Sequence, residues 1–132
     1  MHLGTEEKIT VGTPNTVVES TAVGGERSVI FEDDGTTGYF YAVRPGADLE
    51  ILDALHVYDV ANVTDRHLPV KVQLVWDETW TAAVLLINGY GHALYDFQRS
   101  AGFCRNAFPA ASNGQTLKRE LTDELIEQYF AA

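Results

Sequence analysis

The chain has one cysteine, four prolines, nine basic residues and no apolar run longer than the six residues of "AAVLLI" at 82–87. Each shortage excludes something. A lone Cys104 permits neither an internal disulfide nor a cysteine-built zinc cage, which fits a reducing cytoplasm. Six apolar residues fall far short of the roughly 20 that cross a bilayer as a helix. The opening stretch "MHLGTEEKITVG" lacks a basic region followed by an apolar core, so neither an export signal nor an anchor is expected, and the Asn62-Val63-Thr64 triplet is expected to carry no glycan. Nine basic residues against nineteen acidic ones leave a formal charge of −10. Binders of nucleic acid win affinity by releasing counterions with Lys and Arg, so a nucleic-acid partner is not expected. The same excess keeps the chain soluble and attracts a basic partner over about 8 Å at physiological salt.

What is present describes one globular domain. Hydrophobic residues make up 45% and charged residues 21% of 132, far from the composition of disordered chains. A chain of this length buries roughly two thirds of its unfolded surface, enough for a core without staples.

Period-two alternation dominates the first hundred residues. "TVVES" reads as a weak strand, "RSVIFE" and "GYFYAV" as two more. Between the last two, "DDGTTG" supplies turn chemistry, so residues 27–43 are expected to form a hairpin. "LEILDALHVYDVANV" is ambiguous: Asp48 suits the cap of a short helical turn, yet Leu52, Ala54, His56, Tyr58 and Val60 line one side of a strand, expected from about 53 to 60. "VKVQLVW", "WTAAVLLIN" and "YGHALYDF" form a meander, with Asn88-Gly89 favouring a primed turn before the third. Residues 98–116 are too apolar for a free loop and are expected to pack over the sheet. "LKRELTDELIEQYF" carries helical spacing, giving an amphipathic helix over 117–130 with a possible restart capped by Thr122. The expected fold is α+β, an antiparallel sheet of about six strands with a C-terminal helix packed on it, and residues 1–14 loosely ordered.

Chemistry is sparse. Glu32-Asp33-Asp34-Gly35 resembles half a calcium loop but lacks its alternating ligands and closing glutamate, so no metal is assigned. The glycines form no phosphate-cradling loop and no cofactor is expected. Cys104 reads as a buried, inert thiol. The remaining histidines and carboxylates support one alternative, a pocket built from His56, His92, Asp96 and Arg105 that would serve a small ligand or an enzymatic step. Aromatics are the stronger hint, because surplus Tyr and Trp beside carboxylates is the chemistry of a protein-binding surface. The set expected to meet a partner is Glu32, Asp33, Asp34, Tyr39, Tyr41, Asp77, Glu78 and Trp80. A homodimer using the same aromatics is the competing reading.

"VIFEDDGTTGYFYA", "ILDALHVYDV" and "LLINGYGHALYDFQRSAGFCRNAFP", with the spacing between them, resemble a bacterial family catalogued as domain of unknown function 2251, over about residues 15–110. The resemblance implies a single-domain, soluble bacterial protein, similar in size and acidity to immunity proteins that neutralise toxins. It supplies no catalytic residue to carry over. Together with the acids and aromatics it implies a non-enzymatic binding protein with a basic partner, the most concrete form being an immunity protein with such a toxin as that partner.

Overall fold

The computed structural model describes residues 1–109 and 119–130. Among them nine strands build two antiparallel sheets that face each other as a sandwich. The strands are β1 (His2–Ile9), β2 (Thr16–Thr21), β3 (Ser28–Asp33), β4 (Thr37–Arg44), β5 (Glu50–Asp59), β6 (Val70–Trp76), β7 (Ala82–Ile87), β8 (Tyr90–Asp96) and β9 (Ala101–Cys104). One sheet runs β1-β6-β7-β8-β9 and the other β2-β3-β4-β5. An eight-residue helix, α1 (Asp123–Phe130), closes the described chain.

The expected single sheet of about six strands is therefore corrected to two sheets of five and four strands. Alternation shows which residues share a face; it does not show what covers that face. Val18, Val29, Phe31, Phe40, Ala42 and Leu55 from the four-stranded sheet meet Val72, Leu74, Trp76, Leu85, Ala93 and Tyr95 from the five-stranded one, forming the main core. Burying each large side chain there stabilises the fold by roughly 1.5–3 kcal/mol. The outer face of the five-stranded sheet presents Val75, Val84, Leu94 and Phe103, and these are covered by Leu121 and by Leu125, Ile126, Tyr129 and Phe130 of α1.

The hairpin over 27–43 and the β6-β7-β8 meander form as the sequence indicates. At the second meander turn Asn88 and Gly89 take φ of 51° and 80°, the left-handed pair that a primed two-residue turn requires. The ambiguous segment is strand from Glu50 to Asp59, with no helical turn over 48–52, and it ends in a 3-10 turn over Val60–Asn62 rather than running on through Val60. Residues 1–14, expected to be loose, hold β1, paired with β6 from His2↔Trp76 to Ile9↔Val70. Within 98–116, expected only to pack over the sheet, residues 101–104 are the edge strand β9, while 110–116 lie outside the described residues.

The helix starts later than 117: residues 119–122 run beside Cys104 as an extended bridge, and 117–118 lie outside the described residues. Thr122 is the cap, its Oγ1 accepting the Leu125 N–H at 3.1 Å, a contact typically worth about 1 kcal/mol. Two side chains dock α1. Arg105 donates from Nε to the Gly91 carbonyl at 2.8 Å and from Nη2 to Asp123 at 2.7 Å. Tyr129 donates to Asp96 at 2.6 Å, and burial with that hydrogen bond pushes its phenol up to about 12. A phenol raised in the folded state adds stability that is complete below the unfolded value near 10 and is lost as pH rises through about 12. Helical circular dichroism should fall over that interval, and Tyr129→Phe should remove this transition; an unchanged alkaline profile in the variant would contradict the docking role.

Candidate functional site

Two rows of side chains cross the outer face of the four-stranded sheet. The register places Val17, Glu32, Tyr39 and His56 side by side, and next to them Glu19, Ile30, Tyr41 and Ala54. Beyond Tyr41 the chain adds Val43, Leu49 and Ile51, and with Val17 and Ile30 these border a shallow groove of about 300 Å³ that includes Glu32. Val17, Leu49 and Ile51 are 49%, 58% and 60% exposed, large values for aliphatic side chains sharing one face. Tyr39 and Tyr41 stack with centroids 6.0 Å apart, and His56 meets Tyr39 edge-on at 5.4 Å. Burial, with the Glu32 carboxylate adding to it, pushes the Tyr41 phenol up. Among the described residues no element covers this face as α1 covers the other.

At the edge, residues 105–108 lie along β5. The His56 N–H donates to the Phe108 carbonyl at 2.9 Å and the Phe108 ring meets the imidazole at 5.9 Å. Asn106 Oδ1 accepts from the Phe108 N–H and the Cys104 thiol, so its Nδ2 faces His56 Nδ1 at 2.5 Å. That network assigns the imidazole proton to Nε2, which donates to Asp59 at 3.0 Å. His56 thus fastens a loop to the sheet edge.

The expected contact residues fall into two places. Glu32, Tyr39 and Tyr41 lie together on the face just described, and Asp34 stands at its rim, where its carboxylate accepts the Thr36 and Thr37 N–H groups and is held below its ordinary value by them. Asp77, Glu78 and Trp80 sit instead in the β6–β7 turn. There Asp77 accepts from the Thr81 and Ala82 N–H groups, Glu78 pairs with the N-terminal ammonium, which lowers its pKa, and Trp80 stacks on His2 with centroids 4.3 Å apart. Asp33 needs correction. It is fully buried, accepting the Gly12 and Gly35 N–H groups at 2.7 and 2.8 Å and the Tyr58 hydroxyl at 2.5 Å, so it is no surface acid. Burial first, then the Asp33 carboxylate, pushes the Tyr58 phenol far up, keeping it a donor.

The chain matches, over residues 9–130, the family model described as "Uncharacterized protein conserved in bacteria (DUF2251)". It belongs to that bacterial family. It is also 39% identical over 131 residues to an "Uncharacterized protein" of Haemophilus influenzae, covering 98% of this chain and 81% of that one. No solved structure matches it.

In this DUF2251 chain the alternative pocket does not assemble. His56 is spent on Asp59 and Asn106, Asp96 on the Gln98 and Arg99 N–H groups and Tyr129, and Arg105 on Gly91, Leu121 and Asp123. His92 is the extra residue of a bulge, since Leu85 pairs with Ala93 and Leu86 with Gly91. Burial and the nearby Arg105 charge depress its pKa. The bulge accompanies a close approach: a Cβ on Gly91 would stand 2.5 Å from Ile126 Cδ1. Cys104 is buried, and burial pushes its thiol up. Among the described residues no three His, Cys, Asp or Glu side chains converge as metal ligands would.

Residues the sequence reading missed complete the face: Val17, Glu19, Ile30, Leu49 and Ile51. A usable signal existed in the parity of β3, where Ile30 and Glu32 alternate with Val29, Phe31 and Asp33.

Proposed function

We propose that this protein is a non-enzymatic binding protein that takes a basic protein partner on the outer face of its four-stranded sheet. The observation that carries the reading is the pair of cross-strand rows, Val17-Glu32-Tyr39-His56 and Glu19-Ile30-Tyr41-Ala54, where apolar and aromatic side chains alternate with carboxylates. Tyrosines at the centre of such a patch supply anchoring area at low entropic cost, while acids at −10 overall charge raise the encounter rate with a cationic surface. No covalent chemistry is needed for that task.

The most concrete form is a cytoplasmic bacterial immunity protein that neutralises a cognate toxin by direct binding. Its support is the acidity, the single-domain size and the bacterial family. Among the described residues no helix is long and apolar enough to cross a membrane. Co-expression with the basic product of a neighbouring reading frame tests the reading. A 1:1 complex is expected, weakened at least 30-fold by Tyr41→Glu or Ile51→Glu, about 2 kcal/mol of binding energy, and unaffected by Glu78→Gln. Binding indifferent to both face substitutions, or self-association through this face with no heteromeric complex, would contradict it.

A further inference from the structure

We propose that the cleft where the two sheets part, at the Arg27 end of the sandwich, is a binding site for a small organic carboxylate. The cleft holds about 230 Å³, and its lining includes Glu26, Arg27, Arg44, Leu52, Tyr95 and Phe97, so two guanidinium groups stand against one carboxylate. Liquid water takes about 30 Å³ per molecule, so the space equals roughly eight waters and suits a compound of about that many non-hydrogen atoms, below the usual drug-sized range.

Arg27 gives the cleft its charge preference. The chain has nineteen acids, yet among the described residues no carboxylate pairs with this half-buried guanidinium, although Arg44, Arg105 and Arg119 each have one. Its Nε donates instead to the Trp80 carbonyl at 2.9 Å. Trp80 is held at φ 60° in the β6–β7 turn, with its N–H on the Asp77 carbonyl and its ring stacked on His2, and this turn aims its carbonyl at Arg27. One ring of restraints therefore fixes the guanidinium through Nε and leaves the Nη fork, which matches a carboxylate bidentately. Arg44 adds a second positive charge, shared with Glu50 at 2.5 Å.

The body of the ligand has an apolar wall. Tyr95 and Phe97 form an edge-to-face pair at 4.8 Å, and Phe97 stacks on Trp76 at 5.9 Å, making one side rigid. Opposite, Leu52 is the extra residue of a bulge, because Ala42 pairs with Asp53 and Val43 with Ile51. The bulge turns its side chain against the core cluster. A fixed cationic fork beside an aromatic wall selects an acid with a flat or short apolar body. This site is distinct from the partner-binding face, and neither reading depends on the other.

The test is a nitrogen-proton NMR titration of the full chain with benzoate, and with benzamide as its uncharged isostere. Saturable shifts are expected at the Arg27 Nε–H and the Phe97 amide, with a Kd in the millimolar range or tighter and benzamide at least tenfold weaker. Arg27→Gln should weaken benzoate at least tenfold. Because that change also removes the bond to Trp80, Leu52→Trp provides a second variant, filling the cleft from the β5 side and abolishing the shifts while leaving Arg27 in place. Spectra showing no saturable shift at these groups, equal binding of benzamide, or undiminished binding by folded Leu52→Trp would overturn the proposal.

Discussion

Asp33→Ala is expected to lower stability by on the order of 4 kcal/mol, a large share of the 5–15 kcal/mol that holds a domain of this kind together. The carboxylate is fully buried and satisfies three donors, the N–H groups of Gly12 and Gly35 and the hydroxyl of Tyr58. Alanine leaves all three without an acceptor, and each orphaned group costs about 1–3 kcal/mol where water cannot reach it. The loss is also topological, because these donors come from the β1–β2 turn, the β3–β4 turn and β5. Urea unfolding should show the midpoint shift with an unchanged slope. Asp34→Ala, one residue along at the exposed tip, should leave the midpoint near that of the parent. Equal effects at the two positions would show that Asp33 is solvated and that the two turns are not tied together.

A second large effect is expected where the return segment after residue 118 meets β5. Arg119 pairs with Asp53 between the sheets, with side-chain exposures of only 5% and 10%. The fit is tight: a Cβ on Gly102 would stand 2.5 Å from Asp53 Oδ2 and 3.1 Å from Leu55, so only glycine lets β9 approach the pair. Arg119→Leu strands a carboxylate in a dry space and should cost about 3–5 kcal/mol. Adding Asp53→Leu should restore most of that loss, since two apolar side chains need no charge partner there. A thermodynamic cycle over the two single variants and the double variant measures the coupling directly. Additive losses would mean that the pair contributes packing alone.

The three acids of "EDD" illustrate what the sequence conveyed. Strand parity assigns Glu32 outward with Ile30, and Asp33 inward with Val29 and Phe31, whereas only the tip residue Asp34 is an exposed turn acid. Composition alone treats the three alike, and so did the expectation that all would face a partner. The hairpin and the meander were legible because their turns carry residues suited to left-handed backbone and their strands alternate. β1 was not, because its neighbours on both faces are partly solvent and only Ile9 of its eight residues is buried. β9 was missed for the opposite reason: all four residues are buried, leaving no alternation to detect. His92 and Asp96, both named for the alternative pocket, would share a face only on a regular strand, and a bulge at His92 breaks that regularity. The second sheet escaped notice because period two identifies a buried side without identifying the layer that buries it.

The most direct test of the account is NMR mapping of the contact surface with the purified basic product of the neighbouring reading frame. Shifts and line broadening concentrated at Ile30, Glu32, Tyr39, Tyr41 and Ile51, weakening as salt rises, are the predicted result. Perturbations confined to the Asp77–Trp80 turn or to the α1 side, with those five residues unmoved, would contradict it.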